Sequence, residues 1–278
     1  MADDFMVVGF GESQEEAVRN HDQNLAAFLQ RCTEQGIRLN AEKMKLRLHE
    51  VPFIGHIATD KGLRADPAKV RAIVGMPPPT DVAGVQCLLG MIQYLSKFLP
   101  ALSEMTKPLR DLTQKETVWM WDQPQQKALE TLKQAVASTP VLRYYNLTDE
   151  VTLQCDASQH GLGAALMQDG QPVAYASRAL TAAETRYAQI EKELLAIVYA
   201  CDHFEPYIFG RESVNVDTDH QPLEMIVQKP LNSAPNSCSR CCCSFKSTVL
   251  LLVTRREHRC TWPTHSVEPT SQKSKPVN

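Results

Sequence analysis

Residues 151–178 read VTLQCDASQHGLGAALMQDGQPVAYASR, and the three short apolar runs in that stretch decide the fold. Residues 151–156 run apolar and β-branched to an aspartate. Gly161 and Gly163 then suggest a turn, residues 164–167 a second strand, and residues 173–176, after Gly170, a third. Three strands in a meander are the economical reading. A long helix follows, with Tyr187, Ile190, Leu194, Ile197, Cys201 and Phe204 at helical intervals on its buried face. Residues 214–219 make a fourth strand, and another helix starts near Gln221 and Pro222. Strands and helices in this succession read as an α/β (α+β) chain.

Upstream the pattern is shorter and more helical. Residues 5–9 are an apolar run of β character. Ser13 with Glu16 has capping-box spacing and opens a helix that Gly36 stops. Residues 46–48 and 51–55 suggest short strands. Asp66-Pro67 is a cap and first-turn signal for a helix through Val74, ended by the prolines at 77–79. A second helix, between Thr80 and Leu99, carries Val85, Leu88, Leu89, Ile92, Leu95, Phe98 and Leu99 on one face. Trp119 and Trp121 precede an amphipathic helix with Ala128, Leu129, Leu132, Ala135 and Val136.

At 278 residues and 43% hydrophobic composition, the chain can bury one large core or two to three small ones, which excludes a disordered or collagen-like protein. Its formal net charge of -3 lacks the basic excess of a freestanding nucleic-acid binder, though local basic patches remain open. No signal peptide follows the N-terminus, and the apolar run at 249–253 is far shorter than a membrane span. The expectation is an intracellular protein without a membrane partner, with cytoplasm and nucleus equally open. Nine cysteines, crowded toward the C-terminus, make a poor disulfide framework.

Asp156 and Asp219 each end a strand, and Glu193 lies on the helix face that packs on the sheet. A carboxylate aimed at a core is costly unless paired or bound to a cation. Three acids at one sheet edge would supply hard oxygen ligands for two Mg²⁺ ions roughly 3.5–4 Å apart, the arrangement that activates water against a phosphodiester. Any single strand-end aspartate is more often a cap. Asp217 points to the same side as Asp219 by strand periodicity, so spacing leaves the choice between them open.

The residues also carry a resemblance. Cys155-Asp156-Ala157-Ser158 with Gly161-Leu162-Gly163-Ala164, then Tyr175-Ala176-Ser177-Arg178, residues 191–197 (EKELLAI) and Thr218-Asp219-His220 closely resemble the ribonuclease H domain of gypsy-type LTR-retrotransposon Pol polyproteins. Upstream, residues 51–56, 66–70 and 89–94 look like the end of a reverse-transcriptase palm and its thumb. The resemblance covers roughly residues 1–230.

It implies an RNase H-like mixed sheet preceded by a palm remnant and a small helical thumb. The expected divisions are 1–62 for the truncated C-terminal part of the palm and 63–116 for the thumb. They continue with 117–150 for a tether, 151–235 for the RNase H-like domain and 236–278 for an aberrant tail without fixed structure. By the same resemblance Asp156, Glu193 and Asp219 match three metal-binding carboxylates of ribonuclease H, with Mg²⁺ or Mn²⁺ as cofactor. Asp3 and Asp4 match the paired aspartates of the polymerase. Ser158, Arg178 and His220 are candidate substrate contacts. The implied partners are an RNA:DNA hybrid or other nucleic acid and further Pol or Gag products.

Beyond about Ala234 the resemblance stops. A shift of reading frame is compatible with the family's continuation over 236–248 and again over 261–268, which would cost the chain its last RNase H helix and a fourth carboxylate. The expectation is therefore an RNase H-type nuclease joined to a truncated polymerase, with impaired cleavage. Two alternatives compete. One is a catalytically dead remnant that only binds nucleic acid, the other a zinc module built from Cys238, Cys241, His258, Cys260 and His265.

Overall fold

In a computed structural model, the structure describes residues 5–218 and, for its backbone alone, the segment 249–254. Asp3, Asp4, Asp219, His220, the helix expected near Gln221 and all five candidate zinc ligands lie outside the described residues. The chain divides into two compact units, residues 1–66 and 67–278.

The first unit holds helix α1 (Gln14–Glu34) and a three-stranded antiparallel sheet, β1 (Glu50–Phe53), β2 (His56–Thr59) and β3 (Gly62–Ala65). Half of the expected capping box is present: Glu16 N–H donates to Ser13 Oγ at 3.2 Å, while the Glu16 side chain accepts from Glu12 N–H, one residue before the cap, at 3.1 Å. Ile54 and Gly55 turn β1 into β2 with positive φ at both residues (45° and 72°), the conformation a two-residue hairpin needs. Two expected strands are absent. Residues 5–9 and 46–48 are extended or bent without a ladder partner, because apolar character does not make a strand where no neighbour exchanges backbone hydrogen bonds. Residues 5–9 dock on α1 instead: the Phe5 and Phe28 rings lie 5.1 Å apart, and Asn24 Nδ2 donates to Val8 O at 2.9 Å.

The second unit begins with α2 (Pro67–Gly75) and α3 (Val82–Gln93), followed by the short helices α4 (Leu102–Met105) and α5 (Lys107–Asp111) and then α6 (Gln123–Ala137). Asp81 caps α3 by accepting from Gly84 N–H at 2.7 Å. The single helix expected from 80 to 99 stops at Gln93, and a 3₁₀ turn (Ser96–Phe98) carries Phe98 to full burial.

The main sheet has the order β6-β5-β4-β7-β8, from β4 (Thr152–Ala157), β5 (Gly161–Gln168), β6 (Gln171–Ala179), β7 (Ser213–Thr218) and β8 (Val249–Thr254). β4, β5 and β6 are the antiparallel meander, while β7 joins β4 in parallel and β8 joins β7 in parallel. β8 lies within the tail expected to lack structure, so six of those residues contribute a sheet backbone. Helix α7 (Gln189–His203) crosses between β6 and the parallel β7, and α8 (Glu205–Ile208) follows it. Leu194, Ile197, Ala200 and Cys201 of α7 pack on Leu153, Cys155 and Ala157 of β4 and on Leu162, Ala164 and Leu166 of β5. On the other side of β5 and β6 lie α4 and the 3₁₀ turn.

Gly161 and Gly163 are not in the turn but inside β5. The reason is close approach. A Cβ at Gly161 would sit 2.2 Å from Ser103 Oγ, so only glycine lets α4 settle on the strand. Among the described residues no helix is long and apolar enough to cross a membrane.

Candidate active site

The parallel register sets Leu153 beside Val216 and Gln154 beside Asp217, so β4 and β7 run side by side. Asp156 is the penultimate residue of β4, half-buried, and pairs across the antiparallel ladder with Gly163, which pairs in turn with Ser177. The turn after it is built by Ser158. Its N–H donates to Gly161 O at 2.9 Å, and its Oγ accepts from Gly161 N–H at 3.0 Å and His160 N–H at 3.3 Å. This candidate substrate contact is thus the residue that closes the β4–β5 hairpin.

Glu193 sits one turn into α7 and is 3% exposed. Its Oε1 accepts from Gln189 Nε2 at 2.6 Å, and the same nitrogen donates to Ala157 O at 2.8 Å. The carboxylate on the helix and the strand residue next to Asp156 are therefore held through one amide. The spacing that marked Glu193 as inward-facing is met, since Leu194 and Ile197 beside it are also buried. Glu191, expected to be solvated, instead closes the helix start by accepting from Ala188 N–H at 3.0 Å.

Arg178 is engaged by Glu184 with both ends of its guanidinium, at 2.9 and 3.1 Å, and lies over the Tyr199 ring, 5.7 Å from its centroid. That guanidinium, with further hydrogen bonds from Thr181, holds the Glu184 carboxyl down at about 2. Burial pushes the Cys201 thiol up to about 12. Burial likewise lowers the pKa of His203.

Among the described residues no group of three His, Cys, Asp or Glu side chains is assembled for a metal ion. The described pair, Asp156 and Glu193, still suits one chemically, being carboxylate oxygens of which one is deeply buried and hydrogen-bonded by a neutral amide. Buried Asp217 (7% exposed) belongs to the same strand end and leaves the ambiguity with Asp219 standing. Gln189 and Lys192, the latter only 6% exposed, were not singled out from the sequence. Gln189 carries a signal only in hindsight, standing four residues before Glu193 at the helix start.

Residues 121–216 match the RNase H-like domain found in reverse transcriptase. The retrovirus-related Pol polyprotein from transposon opus of Drosophila melanogaster is 37% identical over 218 residues, covering 73% of this chain and 22% of that protein. The chain is a relative of gypsy-type LTR-retrotransposon Pol polyproteins. The Pol polyprotein from transposon gypsy itself, also of Drosophila melanogaster, is 31% identical over 233 residues, 80% of this chain and 22% of the polyprotein. The chain thus spans about a fifth of the length of these curated relatives. In fold, a foamy viral protease-reverse transcriptase in complex with RNA/DNA hybrid superposes with a TM-score of 0.72 at 21% identity, over 97% of this chain and 37% of that one. The RNase H-like mixed α/β fold is therefore one shared with reverse transcriptases.

Proposed function

We propose that the RNase H-like part of this chain retains, in impaired form, the Mg²⁺- or Mn²⁺-dependent endonucleolytic hydrolysis of the RNA strand of RNA:DNA hybrids. Asp156, Glu193 and Asp219 hold the metal. The observation that carries the reading is the placement of the buried Glu193 carboxylate, joined through Gln189 to the backbone beside Asp156. Asp219 enters through the likeness of Thr218-Asp219-His220 to the ribonuclease H motif. When bound, the divalent ions supply an activated water and charge stabilisation at the leaving oxygen.

The chain's own contribution is positional. Burying Glu193 at the α7–β4 contact keeps its oxygens from bulk water, and the β4 hairpin closed by Ser158 fixes the end of the strand that carries Asp156. Hybrid binding rests on phosphate contacts and on the RNA 2′-hydroxyls, and its affinity falls with salt. The structural neighbour's complex with RNA/DNA hybrid supports that choice of substrate. Asp3 and Asp4 enter no step of this reaction.

Incubating the purified chain with a labelled RNA:DNA hybrid and Mg²⁺ or Mn²⁺, beside an Asp156→Asn control, tests the reading. Cleavage of the RNA strand that disappears in the control supports it. Cleavage unchanged by Asp156→Asn would overturn the assignment, and hybrid binding with no metal-dependent product would favour a remnant that only binds.

A further inference from the structure

The amide of Gln189 has two hydrogens, and both are committed: one to Glu193 Oε1 at 2.6 Å, the other to Ala157 O at 2.8 Å. Gln189 is the first residue of α7 and is itself exposed, whereas Glu193, one turn on, is 3% exposed. The i, i+4 spacing brings the two side chains onto one helix face. The carbonyl completes a bridge from that face to the last residue of β4, next to Asp156.

We infer that Gln189 is the positioning residue of the metal site, fixing the Glu193 carboxylate against the end of β4 so that Glu193 and Asp156 are held at a set separation. This rests on the proposed role of those two carboxylates. The choice of an amide has a physical reason. A lysine or arginine at 189 would neutralise Glu193 and compete with a divalent cation for its oxygens, while a neutral donor orients the carboxylate and leaves its charge available. Leaving both acceptors without this donor would free the carboxylate to rotate and loosen α7 from β4 at the site.

The test measures Mn²⁺ binding by the full chain, using the paramagnetic signal of the free ion, for the wild type, Asp156→Asn, Glu193→Gln and Gln189→Met. Methionine has nearly the length of glutamine and is a good helix former, but it cannot donate. The wild type is expected to bind, and both carboxylate variants to lose that site. Gln189→Met should weaken binding by about tenfold, as expected for loss of a group that orients a ligand. Its hybrid affinity in EDTA and its far-UV circular dichroism should stay those of the wild type.

Unchanged Mn²⁺ affinity in Gln189→Met, in a protein whose site is lost on Asp156→Asn, overturns the positioning role while sparing the metal site. A loss of hybrid affinity in EDTA equal to the loss of Mn²⁺ affinity overturns it too, by making Gln189 a nucleic-acid contact. A wild type with no Asp156-dependent Mn²⁺ site overturns the metal site and the positioning role together.

Discussion

Ser103 and Ser177 meet hydroxyl to hydroxyl at 2.6 Å across 74 residues of chain, and Ser103 N–H donates to the same Ser177 Oγ at 2.8 Å. Ser177 lies in the cross-strand row of Asp156 and Gly163, so this contact docks the helical segment two strands away from the candidate site. Gly161 gives it room. Gly161→Ala is expected to destabilise the chain by about 1–3 kcal/mol through overpacking. Ser103→Gly in the same chain should recover part of that loss. A double-mutant cycle by urea denaturation checks it, and strictly additive effects would show that the two positions do not press on each other.

Asp156→Asn and Glu193→Gln remove charge from the proposed site without removing volume. Millimolar Mg²⁺ should raise the melting temperature of the wild type, because a ligand that binds only the folded state stabilises it by mass action. The rise should vanish in both variants. Calorimetric or fluorescence melts with Mg²⁺ and with EDTA measure this, and an equal rise in all three proteins would place the bound ion elsewhere.

The Arg178–Glu184 pair predicts a pH dependence. Glu184 titrates at about 2 in the folded chain against an ordinary value of 4.5, so below about 4.5 the unfolded state takes up the proton that the folded state refuses. The stability from this pair is complete above the unfolded value and is lost as pH falls from 4.5 toward 2. Arg178→Met should lower stability by a constant amount at neutral pH, with the difference from the wild type shrinking through that acid window. Denaturant midpoints across pH 2–7 read the effect directly. A difference that does not change with pH would show that Arg178 acts by packing on Tyr199 rather than through the ion pair.

Phe204 is 1% exposed in the core beneath α7, close to Tyr207 and beside Ile208. Phe204→Ala is expected to cost about 3–5 kcal/mol, the range for emptying a buried aromatic site. Equilibrium denaturation against Phe209→Ala, at a position 77% exposed, is the comparison. Similar losses at the two positions would contradict the packing described.

Much of this protein is legible in its sequence, and the reasons are local. The Ser13 cap, the Asp66-Pro67 helix start, the α6 periodicity and the β4–β6 meander all express interactions within a few residues or between neighbouring strands. Glu193 could be picked over Glu191 because helical periodicity alone places it beside Ile190, Leu194 and Ile197. Tertiary structure decided what no periodicity encodes. The apolar residues 5–9 and 46–48 found no strand to pair with. Gly161 and Gly163 have the spacing of turn residues, but they lie in β5, where Gly161 gives Ser103 room. Gln189 is a helix-start glutamine by sequence, and only the packing of α7 on β4 brings its amide to both Glu193 and Ala157. Sequence spacing determines which face of an element a residue occupies; which distant backbone or side chain meets that face depends on packing, where the cost of an unmade hydrogen bond or a filled glycine pocket is set by atoms far along the chain.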